Sequence, residues 1–118
     1  MRHEPSFLKD ILMACRKIEA IVAATSEDSF LRDEVMPPAV LHHLTVIGEA
    51  ISRLSVELRG RYPDVPWRQI IAMRHRIVHA YFDLDWQILW DAAIDDIPAL
   101  RRQVLNILAT EFSVTEPD

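Results

Sequence analysis

At 118 residues the chain has room for one compact domain. Two glycines argue against a strand-and-turn architecture and against a glycine-rich phosphate loop, and a single cysteine, Cys15, excludes an internal disulfide framework and a cysteine-based zinc finger. The net charge of −5, taken alone, argues against nucleic acid as a partner.

Hydrophobic spacing is helical along the whole chain. A first helix is predicted from near Ser6, with Leu8, Ile11, Leu12, Cys15, Ile18 and Val22 at three- and four-residue steps, fading at Ala23-Ala24-Thr25. Cys15 lies on that apolar stripe and reads as a core thiol rather than a nucleophile. Ser26, followed by Glu27 and Asp28, is a cap opening a short helix to about Met36, and Pro37-Pro38 breaks the chain and begins the next. That helix carries Leu41, Leu44, Gly48, Ile51, Ser55 and Leu58 as one seam, widened by Ile47 and Leu54 and stopped by Gly60. Gly48 and Ser55 on the seam predict close approach by a neighbouring helix. Tyr62-Pro63-Asp64-Val65-Pro66 is a turn. A helix resumes at Trp67 and runs to about His79 or Tyr81; residues 83–85 form a break with an N-cap candidate. The last helix runs from Ile88 to Leu108, with a kink or restart at Pro98. The expected architecture is all-α, a bundle of four main helices plus a short one over residues 1–112, with an acidic, frayed tail at 113–118. No apolar run approaches the roughly 18 residues of a membrane span, and the N-terminus does not lead into a signal peptide, so a cytoplasmic protein is expected.

Charge is unevenly placed. Residues 53–79 hold six arginines, Arg53, Arg59, Arg61, Arg68, Arg74 and Arg76, against Glu57 and Asp64. This stretch is +4 and the remainder −9. Eleven of the thirteen basic residues are arginine, the side chain suited to bidentate phosphate contacts, so the island is either a phosphate-binding surface or a solvated helix face.

Within it, Met73-Arg74-His75-Arg76-Ile77-Val78-His79-Ala80-Tyr81 carries the candidate chemistry. A helical wheel places Arg74 near the middle of an apolar face made by Ile70, Ile71, Ile77, Val78 and Tyr81. There it must either pair with a carboxylate such as Glu49 or line a cleft. His75 and His79 are spaced i, i+4, as metal ligands can be, but Arg76 stands where a metalloprotease has its glutamate, so no metal is assigned. Adjacent His42 and His43 fall on different helix sides. Arg74 and His79 lie about 140° and roughly 7.5 Å apart on a straight helix. They converge if the helix ends near His79, or if two copies meet across a symmetry axis. Histidine as proton acceptor, its protonated counterpart as donor, and arginine at the phosphorane form a set that can cleave RNA without metal.

Ile47-Gly48-Glu49-Ala50, Arg61-Tyr62-Pro63 with Pro66-Trp67, the segment from Met73 to Asp85, Trp90-Asp91 and Asp96-Ile97-Pro98-Ala99-Leu100 together resemble the HepT-like toxins of the HEPN superfamily, over roughly residues 5–110. The resemblance implies a metal-independent endoribonuclease that needs no cofactor and works as a homodimer, with Arg74 and His79 as its catalytic pair. It further implies a partner, an MntA-type nucleotidyltransferase antitoxin that transfers AMP from ATP to Tyr81. His75 stands where the family more usually has asparagine; it and Arg76 are the candidates for positioning RNA. A non-catalytic adaptor that binds a nucleotidyltransferase or nucleotides is the alternative the family allows.

Overall fold

A computed structural model describes residues 3–80 and 83–114, and its architecture is an all-α bundle. Helix α1 (Glu4–Ala23) begins with Pro5 in its first turn and buries Leu8, Ile11, Leu12, Cys15, Ile18 and Val22. It is the central element, packed against α3 (Met36–Ser52) on one side and α7 (Ile97–Phe112) on the other. The Ser26 hydroxyl accepts the Ser29 amide and starts α2 (Glu27–Arg32), which is shorter than its sequence predicts. The Asp33 carboxylate ends that helix's influence by accepting the Val35 and Met36 amides at 2.8 and 2.6 Å, launching α3 instead. Phe30 of α2 is fully buried and meets Trp90 at 5.0 Å, tying α2 to α6 (Trp86–Asp91).

The expected helix through Leu58 is two helices. Helix α3 stops at Ser52, and Ser55 caps α4 (Val56–Arg61) by accepting the Leu58 amide at 3.0 Å. The Ser55 amide in turn donates to Glu4 Oε1 at 2.6 Å, so α1 holds the break open. Ser55 is therefore a cap and not part of a helix–helix seam. Gly60 sits inside α4 rather than stopping it, and no glycine has positive φ. The left-handed terminal residue is Ser113, with φ 53° after α7. Residues 115–118 of the expected tail lie outside the described residues.

Trp67 opens α5 (Trp67–Ile77) with its indole N–H donated to the carbonyls of Arg59 and Tyr62, both at 3.1 Å, which locks the proline-flanked turn. Glu111 of α7 fastens the same turn by accepting from Arg61 at 2.6 Å and Tyr62 at 2.8 Å. Helix α5 ends at Ile77, earlier than expected. Val78–Ala80 (β1) and Asp83–Leu84 (β2) form a short antiparallel ribbon, and the Asp85 amide donates to the Ile77 carbonyl at 2.8 Å. Asp85 then caps α6 by accepting the Ile88 amide at 3.1 Å. A π-helical turn at Ala92–Asp96 joins α6 to α7, with Pro98 in the first turn of α7. Pro98 has no N–H to donate to the previous turn, so the ladder resets there as the sequence anticipates.

Gly48 is the close contact between α3 and α5. A Cβ built there would lie 3.9 Å from the Ile71 Cα, an ordinary van der Waals distance with little room beyond it. Gly48→Ala is expected to raise stability by about 0.5–1 kcal/mol through helix propensity. Gly48→Val, whose γ carbons press on the α5 backbone, is expected to lose about 1–3 kcal/mol. Urea unfolding of the two variants checks both signs.

A candidate RNA-binding groove between α3 and α5

Arg74 is exposed and does not lie in the middle of the buried face. The residues of α5 that enter the core are Trp67, Ile70, Met73 and Ile77, a stripe centred about 45° from Arg74 on the helical wheel. Ile71, counted on the apolar face by periodicity, is only half-buried and belongs to the groove wall. Arg74 and His75 enter an open groove of about 320 Å³ between α3 and α5, with Gly48, Glu49, Ser52 and Ile71. Thr45 and Ser52 spend their hydroxyl protons on the carbonyls of Leu41 and Gly48, each at 2.9 Å. Glu49 shares the groove, yet among the described residues no ion pair within 4.0 Å holds Arg74. Of the two readings open at Arg74, the structure selects a cleft-lining guanidinium over a buried salt bridge.

His75 and His79 do not share a helical face, because α5 ends between them and His79 falls in β1. The helix end is one of the two conditions under which Arg74 and His79 can converge. The side chain of His79 and the whole of Tyr81 lie outside the described residues. Arg76 is on the other side of α5 from the groove, facing Asp91, Asp95 and Asp96. The structure thus brings Arg74 and His75 together and separates Arg76 from them. The role of the three aspartates opposite Arg76 is not evident from the sequence, although all three fall within residues 91–96, ahead of Pro98, with no lysine or arginine among them.

Two further grooves follow in succession from the first along α3. One, of about 330 Å³, shares Thr45 and Glu49 with the Arg74 groove and adds Phe7, His42, Val46 and Arg53. The other has Met13, Lys17, His42 and His43 along its walls. His42 and His43 therefore face one groove rather than opposite helix sides, with ring centroids 5.4 Å apart in an edge contact. Burial, then the neighbouring His42 and Lys17, push His43 below the ordinary histidine range.

No helix among the described residues is long and apolar enough to cross a membrane. The fold and groove define an all-α protein with an arginine and a histidine side by side on an open, partly basic cleft. The family model for HepT-like ribonucleases matches residues 11–107, and the chain belongs to that family. It is 34% identical over 111 residues to "Putative RNase TTE0752" of Caldanaerobacter subterraneus subsp. tengcongensis, covering 94% of this chain and 99% of that protein. It is also 34% identical over 100 residues to "Probable ribonuclease HepT" of Thermococcus cleftensis, covering 85% and 91% of the two chains. No solved structure matches the chain.

Cys15 stands apart from this chemistry. It is fully buried in α1, and burial, reinforced by Glu19 and opposed by Arg101, pushes its thiol up to about 12. The raised value means the thiol favours the folded state fully below its ordinary value near 9, a preference lost as pH rises through about 12. A disulfide-exchange reagent at pH 8 is expected to leave native Cys15 untouched and to label it on unfolding; rapid labelling of the native protein would contradict this placement.

Proposed function

We propose that this chain is the toxin of a HepT/MntA-type toxin–antitoxin pair, a homodimeric, metal-independent endoribonuclease that cuts single-stranded RNA. The observation that carries the reading is Arg74: an exposed guanidinium beside His75, unpaired among the described residues, in a groove whose wall is lowered by Gly48. An arginine so placed is available to phosphate oxygens through two parallel hydrogen bonds.

In this reading His79, neutral, takes the proton of the ribose 2′-hydroxyl. The 2′-oxygen attacks phosphorus, and the 5′-oxygen of the next nucleotide leaves with a proton from a protonated histidine of the second copy. The products are a 2′,3′-cyclic phosphate and a free 5′-hydroxyl. Arg74 neutralises the charge that builds on the phosphorane oxygens, which is where a fixed cation contributes most. His75, on the same groove as Arg74, positions the RNA strand. Dimerisation is supported by the surface next to the groove: Thr45 and Glu49 join it to a groove with half-buried Phe7 and Val46, and His42 and Val46 join that in turn to one lined by Met13, which is 53% exposed.

Tyr81, two residues past His79, is the regulatory position. A nucleotidyltransferase partner would form a bond between its phenolic oxygen and the α-phosphorus of ATP, releasing pyrophosphate. The resulting AMP ester adds an anion close to the catalytic pair and repels RNA phosphate. An RNA substrate and an ATP-using partner make the cytoplasm the compartment for this activity.

Incubation with single-stranded RNA in EDTA tests the catalytic assignment. The wild type is expected to cut, and Arg74→Ala and His79→Ala to lose at least about 100-fold in rate. Equal cutting by either variant would overturn the assignment, and a wild type that binds RNA without cutting would favour a non-catalytic adaptor. With the partner enzyme and ATP, intact-mass measurement should find added AMP on the wild type and none on Tyr81→Phe. The same gain on both would refute the role of Tyr81.

A further inference from the structure

Arg76 follows Arg74 by two residues, a rotation of about 200° on a helix, and it faces away from the groove. It lines a cleft of about 140 Å³ between α5 and the continuous α6–π–α7 helix, together with Met73, Ile88, Asp91, Asp95 and Asp96. Three carboxylates thus share the cleft with one guanidinium, without an ion pair closer than 4.0 Å among the described residues, and no lysine or arginine occurs between Arg76 and Arg101. Burial and then Asp95 raise Asp96 above its ordinary range, while Arg76 acts in the opposite direction. Without Arg76, these acids would repel one another at the edge of the core.

The position of Arg76 along the chain gives this attraction a consequence. The next residue, Ile77, ends α5, and its carbonyl accepts the Asp85 amide at 2.8 Å. That bond and the Val78–Leu84 and Ala80–Asp83 pairings close the base of the ribbon on which His79 lies. A shift of the last turn of α5 relative to α6 moves that base directly.

We propose that Arg76 is a positioning residue, held by Asp91, Asp95 and Asp96 so that the α5–α6 junction presents His79 at a fixed place beside Arg74. The proposal rests on the ribonuclease reading for His79, and it differs from a role in which Arg76 touches RNA. A phosphate contact would act on affinity and its salt dependence; a positioning contact acts on turnover.

The test compares Arg76→Ala, Arg76→Lys, Arg76→Glu and the charge exchange Arg76→Glu with Asp96→Arg. Arg76→Ala is expected to lower kcat about tenfold, with KM for single-stranded RNA and its salt dependence unchanged. Arg76→Lys is expected to keep most of the activity, and the exchange to recover most of what Arg76→Glu loses. Native-state hydrogen exchange of the Asp85 amide and its neighbours in the ribbon should quicken in Arg76→Ala and Arg76→Glu and slow again in the exchange. A raised KM with intact kcat, or ribbon exchange that is the same in all variants, would overturn the proposal. Hydrogen exchange needs no cleavage, so a wild type that cuts no RNA removes the ribonuclease reading and still leaves Arg76 to be judged.

Discussion

The backbone of α5 lies against α3 at Gly48, and the geometry of the candidate site depends on that contact. With a Cβ position only 3.9 Å from the Ile71 Cα, the two helices meet where α3 has no side chain, and the groove opens just beyond, at Arg74 and His75. The contact is held from both ends. Trp67 and Glu111 lock the turn that delivers the start of α5, and the ribbon bond from Asp85 to Ile77 fixes its end. Helix α5 is therefore a short rod clamped at both termini against the face of α3.

Charge is organised along the same rod. Its groove side carries Arg74 and His75, and its opposite side carries Arg76 against three aspartates. Part of the acidic surplus of the chain thus lies at one edge of α5, while the other edge carries Arg74 and His75 beside a single carboxylate, Glu49. The net charge of −5 describes neither side. A polyanion would meet one exposed guanidinium in a confined cleft that also holds Glu49, so recognition by a local cleft is favoured over attraction to a broad basic surface.

Much of this was legible in the residues. The stripe from Leu8 to Val22, the Ser26 cap, the close approach at Gly48 and the reset at Pro98 follow from local rules, and each is found where spacing puts it. The break between α3 and α4 is hidden because Ile51 and Leu58 on either side of it and Leu54 within it are all buried, so the period continues through a gap held by Glu4, 51 residues from Ser55. The end of α5 was hidden for the same kind of reason: Val78 keeps helical spacing and is half-buried, and only pairing with residues 83–85 turns it into a strand. The helical wheel centres Arg74 on an apolar face because Ile71 and Val78 keep core spacing, whereas Met73 takes the buried place.

The proposed RNA site is Arg74 and the α3–α5 groove. A single-stranded RNA with 2′-O-methyl riboses cannot form the attacking 2′-oxyanion, so it can be titrated without being cut and followed by backbone amide chemical shifts. The largest changes are expected on Thr45, Gly48, Glu49, Ile71, Arg74 and His75, and Arg74→Ala is expected to remove them. Shifts concentrated instead on the Arg76 side of α5, or unchanged by loss of Arg74, would contradict it.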